Sequence, residues 1–162
     1  MDPTNRVQFE EVELFNGLSP DEIAKIQPLS RPRRLNGGDL VFRLGEKAES
    51  LFIVQEGQIE LTLPLEVQGS IHEVRFQRVE SGQTLAWSAL VPPFRLTMSA
   101  RATTDSVLLA LQREDLFRLF RSDTHLGLTI TANLAKVVGT RLNVTQALWI
   151  RELHRSVVQK YG

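Results

Sequence analysis

Residues 50–63 read Ser50-Leu51-Phe52-Ile53-Val54-Gln55-Glu56-Gly57-Gln58-Ile59-Glu60-Leu61-Thr62-Leu63. A short apolar run, one glycine and an alternating run form the pattern strand–turn–strand. Ile59, Leu61 and Leu63 point to one side of the second strand, and Gln58, Glu60 and Thr62 to the other. The same punctuation continues outward. Upstream, Asp39-Leu40-Val41-Phe42 lies between Gly38 and Gly45. Downstream, Ile71 to Val79 lies between Gly69 and Gly82 and alternates as a half-buried strand does. Arg95 to Ala102 and Ser106 to Leu111 supply the last pair. Short strands at this spacing predict a mainly β fold with flanking helices, a barrel or double-layered β-roll spanning residues 31–112.

Both flanks of this region are helical. In residues 1–30, Ser19-Pro20-Asp21-Glu22 makes a helix start: Ser19 as N-cap, Pro20 in the first turn, Glu22 closing a capping box. In residues 113–162, Glu114 to Phe120 predicts a short helix, and a long one follows from near Asp123. Ile130, Leu134, Val137, Val144 and Leu148 recur along it at spacings of three and four, with one beat missed at Arg141. Ala135, Val138, Leu142 and Trp149 form a second stripe beside the first. Two stripes ask for two neighbours. The expected solution is that one packs on the chain's own barrel and the other on a second copy, giving a homodimer. A single wide face buried within a monomer is the other solution. The three zones are read as one domain.

Composition narrows the chemistry. The 162 residues carry 19 basic and 19 acidic side chains, so no net charge pulls the chain toward nucleic acid or a membrane surface. No apolar run reaches the roughly 18 residues of a membrane span. The start, Met1 to Phe15, lacks the basic and apolar regions of a signal peptide. Cysteine is absent, which excludes disulfides, thiolate metal sites and a cysteine nucleophile. His72, His125 and His154 are far apart in sequence and offer no metal cluster of the cupin kind. A lone haem ligand at His72 is outweighed by an exposed strand histidine, and no Ser-His-Asp arrangement can be argued. A cytoplasmic, non-enzymatic protein without a metal or other cofactor is expected.

Several of these runs, in this order, resemble the cyclic nucleotide-binding domain superfamily, which includes the catabolite activator protein. Leu14-Phe15-Asn16-Gly17-Leu18-Ser19 is similar to its lead-in to the N-terminal helix, and Gly38 to Glu46 to its first hairpin. Leu51 to Ile59 resembles the strands around its central glycine. Ala100-Arg101-Ala102 and Val107 to Leu111 resemble its last strands and the lead-in to helix B. The resemblance implies a double-stranded β-helix, or jelly roll, of about eight strands, serving as a regulatory or sensor domain in signal transduction, with a phosphate-binding cassette at residues 82–96. In the superfamily that cassette reads roughly Phe-Gly-Glu-x-Ala-Leu, followed some residues later by arginine. The glutamate takes the ribose hydroxyl and the arginine the phosphate.

Here the glycine position is Ala86 and the glutamate position is Trp87, followed by Ser88, Ala89 and Leu90. Arg95 is displaced by one from the arginine position, where Leu96 stands. Along a strand, one residue turns a side chain to the opposite face. Trp87 is open to two readings: a stacking surface for a flat ligand, or an indole that fills the ribose space. Ser88, Thr97 and Ser99 are candidate hydrogen-bond donors to an anion, or ordinary strand and cap hydroxyls. Arg95 is an anion anchor or a solvated loop residue. The expected function is a sensor with a small-ligand specificity outside the usual pattern, cyclic AMP itself not being supported by the cassette. The alternative is a ligand-free dimerisation or protein-interaction module with the pocket filled by Trp87. The dimer helix is assigned to Ile130, Leu134, Val137, Arg141, Val144 and Leu148. A further partner protein is left open. Transcription factors of the superfamily add a helix-turn-helix after the long helix; with the sequence ending at Gly162, direct DNA binding is not expected.

Overall fold

The computed structural model describes residues 7–161. Residues 1–6 of the expected N-terminal element and Gly162 lie outside the described residues. Two short 3-10 turns, Phe9–Glu11 and Glu13–Phe15, precede helix α1, Pro20–Ile26. The capping box read from the sequence is formed. The Glu22 amide donates to Ser19 Oγ at 3.3 Å, and the Ser19 amide donates to Glu22 Oε2 at 2.8 Å.

Eight strands follow: β1 Ser30–Leu35, β2 Leu40–Phe42, β3 Ser50–Glu56, β4 Gln58–Val67, β5 Ser70–Glu80, β6 Thr84–Leu85, β7 Ser99–Ala102 and β8 Ser106–Gln112. They make two antiparallel four-stranded sheets, ordered β1-β8-β3-β6 and β2-β7-β4-β5. The expected jelly roll is the observed fold. Its core is apolar, with Leu51, Ile53, Ile59, Leu85, Leu108 and Leu111 excluded from solvent. Gly57, between β3 and β4, has φ +84°, and a Cβ there would stand 2.3 Å from Ser106 Oγ and 2.5 Å from the Asp105 carbonyl. Only glycine lets the two sheets approach so closely at this turn.

Helix α2 spans Arg113–Ser122 and α3 spans Thr124–Tyr161. With 38 residues, α3 is about 57 Å long at the usual rise. Leu126, Ile130 and Leu134 join the core, and Asn133 Nδ2 donates to the carbonyls of Leu14 and Asn16 at 3.0 and 2.7 Å. These bonds fix α3 to the N-terminal turns.

Two local expectations need correction, and one strand was not announced by any pattern. Strand β1 carries no apolar alternation in Ser30-Arg31-Pro32-Arg33-Arg34-Leu35, so the sequence pattern does not announce it. It is an edge strand, paired only with β8, where a proline and a row of solvated arginines are tolerated. The strand read from Arg95 begins only at Ser99; residues 95–98 are irregular, with a single bridge from Arg95 to Lys47. Along β5, Val79 is buried but Ile71 and Val74 are exposed. The β4–β5 hairpin runs past β7, which pairs only with residues 59–62, so its distal half has no sheet beside it. A bulge lets Gln77 and Arg75 face the adjacent Leu61 and Thr62, leaving Phe76 as the extra residue and breaking the period of two.

Candidate ligand pocket

Between the barrel mouth and α3 lies a cavity of about 240 Å³. The turn after β6 forms one wall. Ala86 takes a left-handed conformation, φ 59° and ψ 37°, and the 3-10 turn Trp87–Leu90 follows. In that conformation Cβ crowds the carbonyl that follows it, a strain of about 1–2 kcal/mol that glycine avoids. A loop carrying the cis peptide Pro92–Pro93 then leads to Leu96, Thr97 and Met98, which form the opposite wall. Phe42, Leu61 and the bulged Phe76 add barrel side chains, and Val138, Arg141, Leu142 and Thr145 of α3 close the top. The lining is mostly apolar.

The residues singled out in the sequence divide sharply. Ala86, Trp87, Ser88 and Thr97 line the cavity. Trp87 is half-buried and packs on the core while presenting a face to the cavity, so the indole is a wall with open space beside it. Ala89 is fully buried and Leu90 is half-buried beneath the turn. Arg95 is not in the wall: its Nη1 donates to the Gly45 carbonyl at 2.9 Å on the outside of the barrel. Leu96 is turned in instead, 6% exposed. No strand alternation operates here, since Leu96, Thr97 and Met98 all line the cavity; the bond to Gly45 holds the guanidinium away from it. Ser99 Oγ accepts from the Leu44 amide at 3.0 Å and belongs to the β2–β7 side of the barrel.

The charged group on the cavity is one the sequence assigned to a dimer seam. Arg141 of α3 has a side chain 16% exposed, and its Nη2 donates to the Thr84 carbonyl at 2.6 Å. Glu13 Oε1 lies 3.8 Å from the same nitrogen and also accepts from the Thr84 amide at 2.8 Å and the Thr84 hydroxyl at 2.6 Å. Burial pushes the Arg141 pKa down while the Glu13 carboxylate pulls it up; the guanidinium remains a cation at neutral pH. Three elements therefore meet at one ion: the N-terminal turns, β6 and α3. The signal that could have found it was present in the sequence as the missed beat in the apolar row, a polar residue on the inward face of a helix.

The rest of that row is also divided. Ile130 and Leu134 are buried against this chain's own barrel and Val137 packs beside them, whereas Val144 and Leu148 are exposed. With them, Leu142, Trp149, Ile150, Leu153, Val157 and Val158 form an apolar surface along the distal half of α3. Among the described residues no group of three or more metal-binding side chains is assembled, and no helix is long and apolar enough to cross a membrane.

Comparison with known proteins places this geometry. A protein of Rhodopseudomonas palustris that bears the name of a potassium channel protein is 28% identical over 133 residues, covering 82% of this chain and 31% of its own length. The cGMP-dependent protein kinase egl-4 of Caenorhabditis elegans is 28% identical over 109 residues, 67% of this chain and 14% of the kinase. The chain thus spans a third or less of these curated relatives. Among solved structures, the Thermus thermophilus catabolite activator protein superposes with a TM-score of 0.72 at 26% identity, over 88% of this chain and 63% of that one. The family model for the cyclic nucleotide-binding domain matches residues 32–123, more than half of the sequence, and this chain belongs to that family of regulatory domains.

Proposed function

We propose that this domain is a cytoplasmic, non-catalytic sensor of a small ligand other than a cyclic nucleotide, and that it reports occupancy through α3. The observation that carries the reading is the open cavity beside Trp87 whose top is made by α3 side chains. A ligand there touches the helix directly, and any difference in its affinity for two poses of α3 shifts their balance by that same free energy. The specificity follows from what stands in the cassette. The hydroxyl-accepting carboxylate is replaced by an indole, and Arg95 is held on the outside by Gly45. A cyclic phosphate and ribose therefore meet apolar walls where the family's usual pattern supplies charge. The cysteine-free sequence leaves nothing for an oxidising compartment to cross-link.

The output is self-association through the distal half of α3. This part of the helix exposes large apolar side chains among polar ones, and with Leu63, Leu65 and Phe76 of the hairpin it borders a groove of about 590 Å³. A surface of this kind gains stability when a second copy covers it. The test is a thermal-shift and calorimetric panel of cyclic AMP, cyclic GMP and chemically diverse small molecules, paired with a mass measurement. Saturable one-to-one binding by a non-nucleotide compound that changes the dimer population supports the reading. Tight cyclic AMP binding overturns the specificity, and silence across the whole panel leaves a dimerisation module with Trp87 as ordinary wall.

A further inference from the structure

The geometry points to Arg141 as the anchor of an anionic ligand, and we propose that the ligand is a small aromatic carboxylate held between this guanidinium and the aromatic walls of the cavity. The inference rests on the sensor reading above and names its substrate class. Gln77, Ser88, Thr97 and Thr145 are the neutral polar side chains on the lining; Arg141 is its one charged side chain among the described residues. Its Nη2 is engaged by the Thr84 carbonyl, while Nε and Nη1 have no hydrogen-bond acceptor among the described residues. Among those residues, too, no buried side-chain nitrogen or oxygen is left without a partner. The two donors therefore reach accessible space, and Arg141 borders the cavity. Nε–H and Nη1–H diverge, so a carboxylate forks across one of them and the second hydrogen of Nη2, an arrangement that gives strong charge-assisted pairs.

The remaining lining fixes the rest of the ligand. Phe42, Phe76 and Trp87 supply aromatic faces and edges, and Leu96, Met98 and Val138 complete an apolar container suited to a flat ring. The cavity is smaller than the sites that hold drug-sized molecules, so the ring system is small. One cation matches one anionic head. The Glu13 carboxylate, 3.8 Å beyond the guanidinium, disfavours a second negative charge nearby. Because Arg141 belongs to α3 and also holds Thr84 of the cassette strand, a carboxylate drawing on the same guanidinium acts on the contact between helix and cassette.

The experiment is calorimetry of the full chain with three acids, indole-3-carboxylate, phenylacetate and 2-naphthoate, each beside its primary amide, with cyclic AMP as the reference. The expected result is one-to-one binding in which at least one acid exceeds its amide by about tenfold or more, the range of a hydrogen-bonded charge pair. Arg141→Gln should abolish that preference and leave the amide affinity in place, and Arg141→Lys should keep part of it. Equal binding of acid and amide, or a preference that survives in Arg141→Gln, overturns the anchor while leaving the pocket a sensor. Binding of cyclic AMP with no acid bound overturns both the anchor and the non-nucleotide specificity. Failure of every acid and amide removes the anchor, and the sensor reading falls with it only when the wider panel above is silent too. Should Arg141→Gln fail to fold, the acid-to-amide ratio of the unaltered chain and of Arg141→Lys decides.

Discussion

The two halves of α3 share one helix and both carry large aliphatic side chains, yet their surroundings are opposite. From Thr124 to Arg141 the inward face is absorbed by the barrel: Leu126, Ile130 and Leu134 are in the core, Asn133 caps two carbonyls, and Arg141 ties β6 to the helix. Beyond Arg141 equally apolar side chains have little beneath them, with Trp149 and Ile150 each 67% exposed. Hydrophobicity alone did not decide burial. The proximal half meets the barrel and N-terminal turns, and the distal half has passed the barrel's edge. The proximal half is therefore a fixture of the fold, and the distal half is available to report what happens at the cavity.

Perturbations sharpen that contrast. The largest effect on protomer stability is expected for Ile130→Ala, which removes a fully buried side chain. It should cost about 3 kcal/mol, read by urea denaturation. Val157→Ala lies in the exposed distal half. There the same measurement should move by no more than about 0.5 kcal/mol. Comparable losses at both sites would erase the distinction. Asn133→Ala leaves the carbonyls of Leu14 and Asn16 short of a donor. The expected cost is about 1–3 kcal/mol; a neutral outcome would mean the N-terminal turns do not hold the helix.

Ala86→Gly relieves a left-handed alanine. It should stabilise the cassette by about 0.5–1 kcal/mol in the same assay. A loss instead would show that the buried methyl contributes more than the strain costs. A charge in the distal half, Leu153→Lys, should leave protomer unfolding unchanged while lowering the sedimentation-derived mass at moderate concentration, if that half pairs with a second copy.

The smallest effect concerns the root of the proximal half. His125 Nδ1 and Glu22 Oε1 are 2.6 Å apart, and Lys25 Nζ is 2.6 Å from Asp123 Oδ2, so α1 is clasped to the start of α3. The hydrogen bond with Glu22 raises the His125 pKa above its usual 6.5 and lowers that of Glu22 below its usual 4.5. The histidine's contribution is complete below its ordinary pKa and is lost as pH rises through its raised value. The glutamate's is complete above its ordinary pKa and is lost as pH falls through its lowered value. The melting temperature should thus decline slightly on the alkaline side of His125 titration, and His125→Asn should flatten that decline. Since the ring is largely exposed, the slope is small. An unchanged slope in His125→Asn would remove the clasp from the account.

Much of the fold was legible because it rests on local rules. Alternation at Ile59, Leu61 and Leu63, the glycine at position 57 and the Ser19–Glu22 capping box each state their structure within a few residues. Strand β1 escaped because an edge strand is held by backbone bonds to β8 and not by an apolar face of its own. The site was legible in part. Trp87 and Ala86 stood out against the family's cassette, whereas Arg95 was open to two readings that only the irregular course of residues 95–98 resolves. Arg141 did not stand out as a ligand residue, since it lies far along the chain from the cassette and only packing brings it over the cavity.

The amino-acid order by itself determined a run of short strands between glycine turns, the capped first helix and the striped last one, because each depends on period, turn chemistry or residue identity within a short window. Its resemblance to a known family added the jelly roll and a cassette stripped of its usual carboxylate. Which side of α3 is buried, where that burial stops and which cation reaches the cavity were decided only by the tertiary structure. They depend on how far the barrel extends beneath a straight helix, a distance that no local pattern encodes.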